Sequence, residues 1–128
     1  MKKIQLLLTI EARILLVLAI IFISWQGTIP ASCEYPFTIK DKVLHFFAFY
    51  VLALLVDFSV PEKPFSAVKI LVVIGYGVAI EIAQSFLPYR SCSFADLFAD
   101  AAGIGFYVLS IPLLQRTPFL RLRWKEKA

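Results

Sequence analysis

Two apolar runs meet in EIAQSFLPYRSCSFADLFADAAG, residues 81–103, and both carry charge where they meet. Glu81 and Gln84 close the first run, Arg90 sits in the short turn, and Asp96 and Asp100 open the second. An ionised carboxylate inside a segment this apolar costs roughly 2.5–3.5 kcal/mol on insertion scales. Such groups persist where they face one another, a cavity or a substrate. Glu81 and Gln84 are spaced i, i+3, and Asp96, Asp100 and Gly103 are spaced i, i+4, i+7, so each set shares one helix face. The stretch therefore reads as two helices joined by a short turn, with their polar faces in reach of each other.

Composition places this helical pair in a membrane. The chain has 128 residues, 60% apolar and only 17% charged, with a mean hydropathy of +0.81. Soluble domains run at about 45–50% apolar and about 25% charged. A closed barrel would alternate polar and apolar residues, and this chain does not, so the expected fold is a small all-α four-helix transmembrane bundle. Two cysteines and one histidine are too few for a four-ligand Cys/His zinc site. No motif calls for a cofactor, and no metal ligand is assigned from spacing.

Working outward, four spans are expected, at about residues 5–29, 39–60, 66–87 and 93–115, in one domain followed by a basic tail over 116–128. The first also resembles a cleaved signal peptide, but Pro30 before Cys33 and the acidic Glu11 argue against one. Thr38 with Asp41, and Ser93 with Asp96, have capping-box spacing at the starts of the second and fourth helices. Pro61 and Pro64 mark a turn, and Pro112 is expected to bend the last turn of the fourth helix. Small residues recur at Gly75, Ala79 and Ala83 and at Ala95, Ala99 and Ala102, which predicts close helix approach along those stripes.

The net charge of +4 is unevenly distributed. The N-terminus, the second connection and the tail hold ten of the thirteen Lys and Arg residues, and the other two connections hold three. By the positive-inside rule both termini are cytoplasmic, and the pattern reflects topology rather than nucleic-acid binding. The tail cations, with Leu122 and Trp124, read as a contact to anionic lipid.

On that frame His45 and Asp96 lie near the outward helix ends, with Glu81 and Asp100 about two turns, roughly 10 Å, deeper. Three helices thus contribute polar groups at one level, the geometry of an outward pocket. Each member also has a plainer reading: Asp96 as a cap, Arg90 as an interfacial anchor, His45 as a snorkelling side chain, Tyr50 as packing, and Asp57 as a solvated group at the other end. Glu81, flanked by Ile80 and Ile82, is the hardest to explain without a partner. Cys33 and Cys92 both fall in outward connections, either paired or as free thiols.

Asp41-Lys42, His45, Tyr50, Glu81-x-x-Gln84, Pro88-x-Arg90, Ser93-x-x-Asp96 and Gly103 together resemble the signature of the VanZ-like membrane proteins, over about residues 40–105. Members often carry Asn where this chain has Asp100. The resemblance implies a small polytopic envelope protein in the bacterial cytoplasmic membrane, similar to a namesake tied to teicoplanin resistance. Three functions are then open. The first is recognition of a lipid or cell-wall precursor head group, with Lys42, Tyr50, Gln84, Arg90, Ser93 and Asp100 lining the pocket. The second is an enzyme, a hydrolase or transferase, acting on a lipid-linked substrate through His45, Glu81, Arg90 and Asp96, with Arg90 as an electrostatic clamp; its metal variant places a divalent ion on His45, Glu81 and Asp96. The third is a proton-coupled transporter with Glu81 as relay, which would require a homo-oligomer. Membrane lipids are the expected partners in all three.

Overall fold

The computed structural model describes residues 2–28, 39–87 and 94–127, and it is an all-α bundle. Four helices follow one another: α1 (Lys2–Thr28), α2 (Ile39–Ser59), α3 (Ala67–Ser85) and α4 (Phe94–Leu114). A 3-10 segment, η1 (Leu120–Lys127), closes the described chain. All four α-helices are long and apolar enough to cross a membrane, making this a multi-pass membrane protein. Apolar side chains such as Leu15, Phe22, Leu71, Phe98 and Leu109 point outward, as expected where the surrounding medium is hydrocarbon.

α2 is the central element. It packs most extensively on α4, then on α1, and also touches α3. The core gathers Phe49, Leu52 and Ala53 of α2, Val73 of α3, and Ile104 and Tyr107 of α4. Glycine sets the closest approach, though not along the expected stripes. Gly75 has nothing within 4 Å of where a Cβ would sit, and Ala79 and Ala83 are also exposed. The intimate contacts are instead at Gly103, against the backbone of Phe46 and Tyr50, and at Gly77, against Phe49 and Asp100. A stripe of small residues marks where a helix can be approached, but packing of the large neighbours decides which glycine is used. Pro112 lies in the last turn of α4, which ends two residues later.

Both chain ends lie at the same end of the bundle, where Gln5 Nε2 donates to the Leu122 carbonyl at 2.9 Å. Here Asp57, expected to be solvated, is 0% exposed. Its Oδ1 accepts from Lys69 Nζ at 2.8 Å and from Arg123 Nη2 at 2.6 Å, and its Oδ2 accepts from the Tyr107 hydroxyl at 2.5 Å. Arg123 also donates to the Pro61 and Lys63 carbonyls, and Lys69 to those of Val60 and Lys63. The tail arginine therefore returns to cap the carbonyls at the end of α2 and in the turn that follows, which have no partners inside the helix. Trp124 follows it down, edge-on to Phe58 at 5.5 Å.

Candidate functional site

At the opposite end of the bundle, three helices bring five ionisable groups and one amide together. Lys42 and His45 stand one turn apart on α2, Glu81 and Gln84 one turn apart on α3, and Asp96 and Asp100 one turn apart on α4. Each pair shares a face because three or four residues is close to one helical turn. Glu81, Gln84, Asp96 and Asp100 are all buried, while Lys42 and His45 are partly exposed.

The geometry is directional. His45 Nδ1 lies 2.8 Å from Asp100 Oδ1. With Asp100 ionised and able only to accept, this contact would put the proton on Nδ1 and leave Nε2 as the ring nitrogen on the Asp96 side. Nε2 lies 3.9 Å from Asp96 Oδ2, and the other oxygen of that carboxylate is paired with Lys42 Nζ. Ligand atoms of His45, Glu81 and Asp96 all fall within 4.8 Å of one another. One imidazole and two carboxylates form a donor set for a divalent cation such as manganese or zinc. Asp100 behind the imidazole supplies the carboxylate–histidine support that such ligands usually have.

Space for Asp100 comes from Gly77. A Cβ there would lie 3.0 Å from Asp100 Oδ2 and 3.0 Å from the Phe49 ring. Gly77, Glu81 and Gln84 are spaced i, i+4, i+7, so the glycine shares the polar face of α3 and was legible by the same spacing rule that grouped the acids. A cavity of about 360 Å³ opens beside the cluster, with His45, Gln84 and Asp100 on its wall and Phe22, Ile23, Leu44 and Ile80 around them. A polar head and an apolar chain could both be accommodated there.

The expected site residues divide accordingly. The structure brings Lys42, His45, Glu81, Asp96 and Asp100 into one cluster, with Gln84 on the wall of the adjoining cavity. Tyr50 faces elsewhere: its hydroxyl lies 2.9 Å from Ser110 Oγ, and its ring packs against Phe106 and Tyr107. Arg90 and Ser93 lie outside the described residues, as do Cys33, Cys92 and the Thr38 and Asp41 side chains.

Comparison with known proteins adds a family. The sequence model of the VanZ/LLP1 family matches residues 7–115. The chain is 33% identical over 106 residues to the uncharacterized protein C11E3.10 of the fission yeast Schizosaccharomyces pombe. That alignment covers 78% of this chain and 63% of the yeast protein, so the chain spans somewhat less than two thirds of its relative's length. No solved structure matches the chain.

Proposed function

The chain belongs to the VanZ/LLP1 family, and on that footing we propose that it is a membrane enzyme, a hydrolase or transferase acting at the phosphate-bearing head group of a lipid-linked substrate. The observation that carries this reading is the aimed histidine. A pocket that only recognises a head group has no need for an imidazole held at Nδ1 by Asp100, with Nε2 toward Asp96 and ligand atoms of His45, Glu81 and Asp96 gathered within 4.8 Å.

His45, Glu81 and Asp96 would hold a divalent cation. Such an ion, when bound, polarises a phosphoryl oxygen as a Lewis acid. Lys42, partly exposed and paired with Asp96, would offer a phosphate a positive charge beside the cluster. Asp100 is a positioning residue that holds His45. The apolar side of the cavity, around Phe22, Leu44 and Ile80, would take the first part of the lipid chain. Occurrence of a relative in a fungus supports a substrate chemistry common to fungal and bacterial membranes over one tied to glycopeptide resistance. By the charge distribution the cluster faces away from the cytoplasm.

The test uses purified protein with a polyprenyl-diphosphate-linked sugar and a simple polyprenyl phosphate. Release of a water-soluble, phosphate-bearing product should require added Mn²⁺ or Zn²⁺ and should fall at least about 100-fold in His45→Gln, Glu81→Gln and Asp96→Asn. Calorimetric titration of Mn²⁺ should show one site that those same variants lose. Tight substrate binding without turnover under any cation would return the pocket to a recognition role. Asp100→Asn is expected to be milder, reducing cation affinity by about 10–100-fold, because it removes the support and not a ligand.

A further inference from the structure

A second cavity, also about 360 Å³, lies at the tail end of the bundle, away from the His45 cluster. Its position follows from the length of α1. Arg13 Nε donates to the carbonyl of Ser59, the last residue of α2, at 3.0 Å. Because the Arg13 side chain leans toward the N-terminus of α1, roughly the first two turns of α1 run on past the end of α2. The tail packs into the corner so formed, tied by Gln5 to Leu122. The cavity lies in this corner, between Lys2, Thr9 and Arg13 on α1, Glu62 in the turn, and Arg123 of the tail.

Its depth suits a lipid head group. Between Lys42 and Ser59, α2 rises about 26 Å, close to the roughly 30 Å of a bilayer's hydrocarbon core. Lys42 pairs with Asp96 at one end, and Arg13, Asp57, Lys69 and Arg123 gather at the other. This second charged layer marks where hydrocarbon gives way to head groups, and the corner cavity opens at that level.

Its charge is positive. Lys2, Arg13 and Arg123 line it against Glu62. Behind Arg123, Lys69 and Asp57 add one charge of each sign, so the corner as a whole sets four cations against two carboxylates. A fixed excess charge at low dielectric favours an anion close by. Just past Arg13, on the hydrocarbon side of the corner, Ile14 is 55% exposed and Val17 56%, an apolar strip for acyl chains.

We propose that this corner binds an anionic membrane phospholipid, with its phosphate among Lys2, Arg13 and Arg123 and its chains running into the hydrocarbon along the Ile14–Val17 side of α1. The site is separate from the His45 cluster and independent of any reaction there. Held in this way, the lipid clamps the tail to α1 and compensates the excess charge beside Asp57.

The test is native mass spectrometry and thermal unfolding of the full chain, delipidated in neutral detergent and titrated with phosphatidylglycerol, phosphatidylcholine of the same chains, or inorganic phosphate. Phosphatidylglycerol should stay bound and raise the melting temperature, and the other two should not. Lys2→Gln, an exposed change that leaves the bundle intact, should weaken phosphatidylglycerol about fivefold, as should Arg13→Gln, and Arg13→Lys should keep most of the affinity. Equal retention of phosphatidylcholine would reduce the corner to a greasy groove and overturn the proposal. So would saturation by inorganic phosphate, or unchanged affinity in both charge-removing variants.

Discussion

Asparagine in place of Asp57 is expected to destabilise the protein by about 3–5 kcal/mol, more than any single replacement among its partners. Asp57 is fully buried and holds Lys69 and Arg123 together. Its replacement leaves one buried ammonium and one buried guanidinium facing each other with only neutral oxygens, those of backbone carbonyls and of the asparagine amide, to accept from them. Lys69→Met or Arg123→Met should cost less, because each leaves one cation with one anion and restores neutrality to a group that now carries an excess positive charge. Tyr107→Phe removes only a hydroxyl donor and should cost about 1 kcal/mol. Thermal or SDS unfolding in detergent, run on all four variants, measures the order. An Asp57→Asn loss below that of Lys69→Met would show that the carbonyls, and not the carboxylate, hold the two cations.

Gly103→Ala is the second large effect. A Cβ at this position would lie 2.2 Å from the carbonyl oxygen of Phe46 and 3.0 Å from the Tyr50 nitrogen. Both are backbone atoms of α2, so no rotamer change relieves the clash, and α2 and α4 must move apart. Overpacking of this kind costs typically 1–3 kcal/mol and occasionally more. The expected value is at the upper end, because α2–α4 is the most extensive interface in the molecule. His45 is adjacent to Phe46, and Asp100 lies one turn before Gly103. The same separation should therefore weaken the His45–Asp100 contact and with it the proposed Mn²⁺ site. Gly75→Ala and Gly105→Ala are the controls, since neither would meet anything within 4 Å, and better helix propensity should leave them neutral or slightly more stable. Wild-type stability and Mn²⁺ affinity in Gly103→Ala would mean that the two helices are not in contact there.

The glycines and Asp57 show where sequence reading reached its limit. Glycines at 75, 77, 103 and 105 look alike in a hydropathy pattern. Spacing grouped Gly103 with Asp96 and Asp100 and put Gly75, not Gly77, on the small-residue stripe; only the docking of Phe46 and Phe49 shows that Gly77 and Gly103 are filled and Gly75 and Gly105 open. Asp57 looked like a solvated helix end because its partners are remote: Lys69 is 12 residues away and Arg123 is 66. Neither falls at the i, i+3 or i, i+4 spacing that a linear pattern reveals. A lysine inside the apolar run of α3 was the available signal, since an unpaired ammonium there is as costly as the carboxylate of Glu81.

What the sequence determined by itself is the set of properties that hydropathy and helical periodicity carry: four spans, and polar faces of α2, α3 and α4 meeting at one end. Free energy dictates these residue by residue, because each backbone amide and each charge must be satisfied within hydrocarbon whatever its neighbours are. Tertiary structure alone decided which atom faces which. It turned His45 Nε2 toward Asp96, gathered Glu81 beside them, sent Tyr50 to Ser110, and folded Arg123 back over Asp57. Those pairings depend on relative helix rotation and on contacts between residues far apart in the chain, where many arrangements satisfy the same hydropathy and shape complementarity selects one.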